Sequence, residues 1–170
     1  MKKTVFLTIF AIIITGVSLV SCNSCDPGGS SSGGGGGVTC QGNDSQITLQ
    51  AENGTGAGQR MSRSRASGLS TVWLHVNETR TITFTPCSGG NFRFKIRYSN
   101  DNFGPLETLT LSLNGNIMGQ FVSEDTGDWN NFFDSPILGN VSLQPNTSYT
   151  ITITVLGGDP YGIEIDCVLL

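Results

Sequence analysis

Residues able to do acid–base chemistry are few in this sequence. His75 is its only imidazole, which excludes a site with several histidine ligands and leaves little for acid–base catalysis. Four carboxylates around a glycine-containing turn could supply the acid–base pair of a glycoside hydrolase: Glu124, Asp125, Asp128 and Asp134. Acidic residues in such a turn are more typical of solvated turn formers, so we favour a protein that is not an enzyme.

Arginines form one local basic cluster in an otherwise acidic chain. Arg60, Arg63 and Arg65 could meet an acidic ligand, although an exposed strand face is the more common origin of such spacing. The chain has nine Lys and Arg against 13 Asp and Glu, and loss of Lys2 and Lys3 with a leader would leave seven, a net charge of −6. A net-acidic chain has no overall electrostatic reason to bind nucleic acid or an anionic membrane surface.

Alternating apolar and polar residues dominate the chain from residue 47 onward and predict antiparallel β-strands. Asn114-Gly115, between two apolar runs, is a strong hairpin signal. We therefore predict an all-β antiparallel sandwich, a jelly roll, of about 125 residues. The apolar positions expected to face its core are Ile47, Leu49, Ala51, Ile82, Phe84, Phe92, Phe94, Ile96, Tyr98, Leu109, Leu111, Leu113, Tyr149, Ile151, Ile153, Val155, Ile163, Ile165, Cys167 and Leu169.

The first 21 residues predict an export signal. Lys2 and Lys3 precede an apolar run over 5–20 that is short for a membrane span. The run ends in Leu19-Val20-Ser21-Cys22, which resembles the lipobox of bacterial lipoproteins and implies cleavage before Cys22 and acylation of that residue. Several acyl chains on one residue give stable anchoring. The alternative is an ordinary secretory signal cleaved near Ser21.

The chain is therefore divided into a signal peptide (1–21), a lipidated cysteine with a Gly/Ser-rich linker (22–38) and a folded domain (39–170). We expect the protein at the bacterial cell envelope, held at the outer membrane by its lipid anchor. An oxidising envelope favours a disulfide, and the pairing stays open among Cys25, Cys40, Cys87 and Cys167. Cys167 lies on an apolar strand face, where a buried thiol is the simpler interpretation.

Several motifs of the predicted domain occur in the order typical of family 6 and family 35 carbohydrate-binding modules. They are Gln50-Ala51-Glu52 and the segments 92–100 (FRFKIRYSN), 111–115 (LSLNG), 126–132 (TGDWNNF) and 163–168 (IEIDCV). The chain resembles these families over about residues 46 to 170. The resemblance implies a jelly roll that binds a polysaccharide or oligosaccharide without catalysis.

A structural calcium ion is also implied by the resemblance. In these families the first and last strands hold Ca²⁺, which places the ion at Gln50, Glu52 and Asp166. Oxygen ligands of this kind suit calcium, with backbone carbonyls and water completing the shell. The alternative is that these residues are ordinary polar groups near strand ends.

The resemblance places a ligand site in loops at one end of the sandwich. Trp129 matches the family tryptophan that stacks on a sugar ring, and Trp73 and Tyr161 are further aromatic candidates. Glu164 stands at the family's asparagine, and an ionised carboxylate only accepts hydrogen bonds where an amide also donates. We expect a neutral or weakly charged glycan. The alternatives are a buried, structural Trp129 and a structural or adhesive surface lipoprotein without sugar affinity; no protein partner is predicted.

Overall fold

The computed structural model describes residues 46–170, which form two antiparallel β-sheets around one apolar core. The predicted signal peptide, Cys22, the linker to residue 38, Cys25 and Cys40 lie outside the described residues. Within 46–170 no helix is long and apolar enough to cross a membrane. The fold is the predicted all-β jelly-roll sandwich.

The first sheet has seven strands. They are β1 (Thr48–Gln50), β3 (Gln59–Ser62), β4 (Ser70–Leu74), β6 (Gly90–Ser99), β9 (Phe133–Asp134), β10 (Gly139–Leu143) and β12 (Ile163–Leu169). Its main path runs β10-β6-β12-β4-β3, while β1 pairs with β12 and β9 pairs with β6. The last strand thus lies at the centre of this sheet.

The second sheet has five strands in the order β2-β5-β11-β7-β8. They are β2 (Thr55–Gly56), β5 (Thr79–Phe84), β7 (Thr108–Leu113), β8 (Asn116–Val122) and β11 (Tyr149–Gly157). The hairpin predicted at Asn114-Gly115 joins β7 to β8, with Leu113 opposite Asn116. Both turn residues have positive φ, 49° and 80°, which asparagine and glycine tolerate best.

The core lies between the sheets and is filled by every second residue of the long strands, because side chains alternate across a strand. Most of the predicted inward positions are buried. The fully enclosed side chains include Phe94, Ile96, Leu109, Leu111, Ile151, Ile153, Ile163 and Ile165.

The strict alternation predicted for the last strand is wrong beyond Ile165. A register shift between Ile165 and Cys167 changes which residues face inward. Val168 is fully buried in the core cluster, whereas Leu169 is only half-buried. A β-bulge adds one residue to a strand and so reverses the facing of all later side chains.

Two cysteines lie in the described residues. Cys167 is a fully buried thiol, although it lies outside the core cluster because of the register shift. Cys87 is disulfide-bonded, and its pairing falls outside the described residues.

Candidate functional site

The strand register brings the ends of three neighbouring strands together at one end of the seven-stranded sheet. Glu164 near the start of β12 lies opposite both Trp73 of β4 and Ser99 of β6. Their chain neighbours Val72, Leu74, Ile163 and Ile165 are in the core, so Trp73 and Glu164 point away from it. The loops 75–78, 100–107, 123–132 and 158–162 all leave the strands at this end, which we call the loop end.

Trp129 comes to the loop end on the loop between β8 and β9. Ser99 Oγ donates a hydrogen bond to the Trp129 carbonyl over 3.0 Å. The same loop is tied to the end of β6, because the Thr126 N–H donates to the Asn100 carbonyl at 2.7 Å and the Asn100 N–H donates to Thr126 Oγ1 at 3.0 Å. These bonds fix where Trp129 enters the site.

Trp73 and Trp129 form one aromatic corner. Their ring centroids lie 6.3 Å apart with an interplanar angle of 65°, an edge-to-face contact of the kind aromatic pairs prefer. Both side chains are half-buried. The His75 ring also packs against Trp73, with centroids 4.7 Å apart. Trp129 is therefore not a core residue of the sandwich, and the site has two partly accessible indoles in contact.

Tyr161 is connected to this corner through its main chain. The indole N–H of Trp73 donates to the Tyr161 carbonyl, while the Tyr161 ring is 53% exposed. Three of the aromatic candidates from the sequence thus meet at one end of the molecule.

Glu164 is buried beneath the aromatic corner and is paired with arginine. Its side chain is 1% exposed, and its two carboxylate oxygens accept hydrogen bonds from the Arg63 guanidinium. Thr71 Oγ1 donates a further bond to Glu164 Oε2 over 2.6 Å. The hydrogen bond with Glu164 raises the pKa of Arg63. Of this pair Arg63, at 21% exposure, is the group that reaches solvent.

A second carboxylate–arginine pair lies further along the same face. Asp166 is fully buried, and its Oδ2 is 3.0 Å from Arg97 Nε. The Arg97 guanidinium lies 5.5 Å from the centre of the Phe132 ring, within cation–π range. Phe132 thus contacts the arginine of this ion pair.

Gln50 and Glu52 lie near each other, but not by the alternation of one strand, because the first strand ends at Gln50 and a 3-10 turn over Ala51–Asn53 follows it. Both side chains face Gly68, where an added Cβ would lie 2.9 Å from Glu52 Oε1 and 3.7 Å from Gln50 Oε1. Gln50 Oε1 and Glu52 Oε2 are buried and accept no hydrogen bond. Burial raises the pKa of Glu52. Buried oxygens without donors fit a cation.

A metal ion at this position would depend on more than carboxylates. Among residues 46–170 no three His, Cys, Asp or Glu side chains cluster in a way that could hold a metal ion. The expected set of Gln50, Glu52 and Asp166 contains two carboxylates and one amide. Backbone carbonyls or water would therefore have to complete a calcium shell.

The other charged candidates are spread over the surface. Glu124, Asp125 and Asp128 are exposed, and Asp134 lies 3.7 Å from Lys95. The arginine cluster also divides, because Arg60 donates to Ser70 Oγ at 2.9 Å whereas Arg63 binds Glu164.

Sequence reasoning missed two residues of the loop end. Phe103 packs edge-to-face against Tyr161 with centroids 5.6 Å apart, and Asp159, which is 2% exposed, accepts hydrogen bonds from the N–H groups of Phe103 and Tyr161. An aromatic residue before Gly104-Pro105 and an aspartate in Gly158-Asp159-Pro160 were the available signals, since both are turn sequences.

Comparison with known proteins supports the fold. No family model and no curated protein matches the chain. Among solved structures, a family 35 carbohydrate-binding module from Clostridium thermocellum aligns with a TM-score of 0.59 and 21% identity, covering 74% of this chain and 96% of that one. A family 6 module of Cellvibrio mixtus lichenase 5A, in complex with cellotriose, aligns with a TM-score of 0.57 and 19% identity over 72% of this chain and 95% of that one.

An enzyme is also similar over part of its length. The exo-β-1,3-galactanase of Phanerochaete chrysosporium, in a structure with β-1,3-galactotriose, aligns with a TM-score of 0.58 and 23% identity over 77% of this chain. The chain spans 29% of the length of that enzyme. The described residues therefore have the jelly-roll fold of family 6 and family 35 carbohydrate-binding modules.

Proposed function

We propose that residues 46–170 form a non-catalytic module that binds a neutral or weakly charged glycan at the loop end. The observation that carries the proposal is the half-buried Trp73–Trp129 corner beside the fixed Arg63–Glu164 pair. Indole faces stack on the C–H faces of sugar rings, while fixed polar groups select hydroxyls. The solved structures with cellotriose and β-1,3-galactotriose make these two trisaccharides suitable first probes.

In this site Trp129 provides the stacking surface and Trp73 the adjoining edge. Glu164 acts through Arg63, because the arginine occupies both carboxylate oxygens and is the member of the pair that reaches solvent. A guanidinium donates hydrogen bonds and accepts none, so the site favours sugar oxygens as acceptors at this point. A shallow site of this kind immobilises few groups, and we expect a Kd on the order of 10 µM to 1 mM.

Intrinsic fluorescence tests the proposal directly, because Trp73 and Trp129 are the two tryptophans of the chain. Titration with cellotriose and with β-1,3-galactotriose should change the emission of the wild-type protein. Trp129→Ala should weaken binding about tenfold or more, measured by calorimetry, and change the free energy of unfolding by no more than about 1 kcal/mol.

The matched control is Ile117→Ala, which removes an exposed apolar side chain (74% exposed) from the β7–β8 hairpin away from the loop end. It should bind both sugars like the wild type. If Trp129→Ala unfolds the domain, or if the wild type binds nothing on a broad glycan array, Trp129 is structural. The second candidate, a structural or adhesive surface protein, would then be preferred. In that case the edge-to-face packing of the two half-buried indoles would serve stability rather than sugar stacking.

We also propose a structural calcium ion at Gln50, Glu52 and Asp166. Two buried oxygens without donors, Gln50 Oε1 and Glu52 Oε2, support it. The ion would offset the charge of Glu52 and join the segment after β1 to the Gly68 turn. Its role is to hold the amino-terminal part of the fold rather than to touch the glycan.

Anchoring through Cys22 remains our proposal for how the module is displayed on the bacterial envelope. In cells that carry out lipoprotein processing, wild-type protein should partition into the detergent phase, because several acyl chains anchor stably. Cys22→Ala should give unprocessed or aqueous protein, and Cys25→Ala should behave like the wild type. Equal release of the wild type and Cys22→Ala into the aqueous phase would contradict the anchor.

A further inference from the structure

A second pair of aromatic rings stands exposed at the loop end. Phe103 is 74% exposed and Tyr161 53% exposed, yet their rings pack edge-to-face at 5.6 Å with an angle of 61°. Folding stability does not require this arrangement, since neither ring is buried in the core. Grouped exposed apolar side chains typically mark an interaction site.

One buried carboxylate holds both residues in place. Asp159 Oδ2 accepts the Phe103 N–H at 3.1 Å, and Asp159 Oδ1 accepts the N–H groups of Tyr161 at 2.7 Å and Gly162 at 3.1 Å. Burial opposes ionisation of Asp159, but these three hydrogen bonds outweigh it and lower its pKa. The carboxylate therefore stays charged near neutral pH, and the loops 100–107 and 158–162 are fixed relative to each other.

The exposed pair is continuous with the tryptophan corner. The Tyr161 main chain is bound on both sides, its N–H to Asp159 and its carbonyl to the indole of Trp73. The loop that carries Phe103 also reaches the loop that carries Trp129, because Asp125 Oδ1 accepts the Asn102 N–H at 3.4 Å and the Gly127 N–H at 2.7 Å. The two aromatic pairs are thus neighbours on one fixed surface.

We propose that Phe103 and Tyr161 form a second sugar-contact subsite and that the ligand is a glycan chain covering both aromatic pairs rather than a single terminal sugar. This inference rests on the proposed function. Stacking on two successive ring pairs adds contact area for each further sugar unit, whereas a binder of chain ends gains nothing from added length. A glycan is favoured over a protein surface because the pair adjoins polar loops and the tryptophan corner.

The experiment is calorimetric titration of the full chain with two length series, from cellobiose to cellohexaose and from galactobiose to galactohexaose in β-1,3 linkage. Wild-type affinity should rise with chain length beyond the trisaccharide. Phe103→Ala should lower the affinity for the hexasaccharide about two- to tenfold and leave trisaccharide affinity unchanged. Tyr161→Phe keeps the ring and should retain the length dependence, and Ile117→Ala is the exposed control.

The outcomes separate this inference from the proposed function. Trisaccharide binding with no gain from added length, or a hexasaccharide affinity unaffected by Phe103→Ala, overturns the second subsite and leaves the tryptophan site intact. Self-association that Phe103→Ala abolishes, seen by sedimentation with unchanged glycan binding, reassigns the pair to contact between copies and also overturns it. Absence of wild-type binding in both series contradicts both proposals.

Discussion

The outer faces of the two sheets follow the same alternation but differ in chemistry. On the five-stranded sheet most outward positions of β5 and β11 are threonines that pair across the strands, such as Thr81 with Thr152, whose hydroxyl oxygens lie 3.4 Å apart. On the seven-stranded sheet the outward positions of β12 are Glu164 and Asp166, which are at most 1% exposed. One face is uncharged and partly open, whereas the other holds two buried carboxylates.

The buried charges on the seven-stranded sheet are not needed to form a β-sandwich. Threonine satisfies an outward strand position through β propensity and water. A buried carboxylate is costly unless it is paired, so Arg63 and Arg97 are required once Glu164 and Asp166 are covered. The face of the seven-stranded sheet that holds these two carboxylates adjoins the aromatic corner. We infer that its ion pairs help to position the loops of the site.

The largest expected effect comes from breaking the pair under the tryptophans. Arg63→Ala leaves Glu164 buried without its cation and should lower the free energy of unfolding by about 3 kcal/mol, measured by urea denaturation. Glu164→Gln together with Arg63→Ala should recover part of the loss. On the other sheet Thr152→Val should change stability by no more than about 0.5 kcal/mol. Equal effects at Arg63 and Thr152 would remove the contrast between the two faces.

Calcium removal should affect the seven-stranded sheet, which carries Gln50 and Asp166, and not the five-stranded sheet. A ligand that binds only the folded state adds about 2.7 kcal/mol at one hundred times its Kd, so chelation should lower the Tm of the wild type. Glu52→Gln should abolish the response to chelator, while Glu124→Gln, on an exposed loop residue, should keep it. A Tm that is unchanged after metal analysis confirms removal would show that Gln50, Glu52 and Asp166 hold no structural calcium ion.

A smaller effect is expected from Glu107, which is fully buried at the end of the loop that carries Phe103. Burial, and then the charge of Asp159, raise its pKa above 4.5, so the folded state holds this proton more tightly than the unfolded chain. The resulting stabilisation is complete below about pH 4.5 and is lost as pH rises through the folded pKa. Urea denaturation across this range should therefore show wild type losing stability relative to Glu107→Gln.

Asp159 has the opposite sign, and its contribution changes at lower pH than that of Glu107. Because its pKa is lowered in the folded state, Asp159 stabilises the fold above about pH 3.8. This stabilisation is lost as pH falls through the folded-state pKa of Asp159. Ile117→Ala, which removes no titratable group from an exposed position, is the control and should parallel the wild type at every pH. A constant difference between wild type and Glu107→Gln would show that Glu107 titrates alike in both states.

Much of the fold was predictable because its information is local. The period-two runs predicted the inward positions of β5, β6, β7 and β11, and Asn114-Gly115 predicted a hairpin that the structure confirms. The bulge after Ile165 was not predictable from alternation, since it depends on β12 pairing with three different strands. The resemblance of the ordered motifs is confirmed at the level of the fold.

For the candidate site, too, some features were predictable from the sequence and others were not. The sequence by itself determined which residue types were available: two indoles, a carboxylate in place of an amide, and an oxygen-rich Gln50-Ala51-Glu52 segment. Only the tertiary structure decided that Arg63 neutralises Glu164 from 101 positions away and that Asp159 fixes Phe103 from 56 positions away. Such contacts depend on how the loops fold over the end of the sheet. The alternation of side chains along a strand determines which face of the sheet a residue lies on, but it does not determine which loop covers that face.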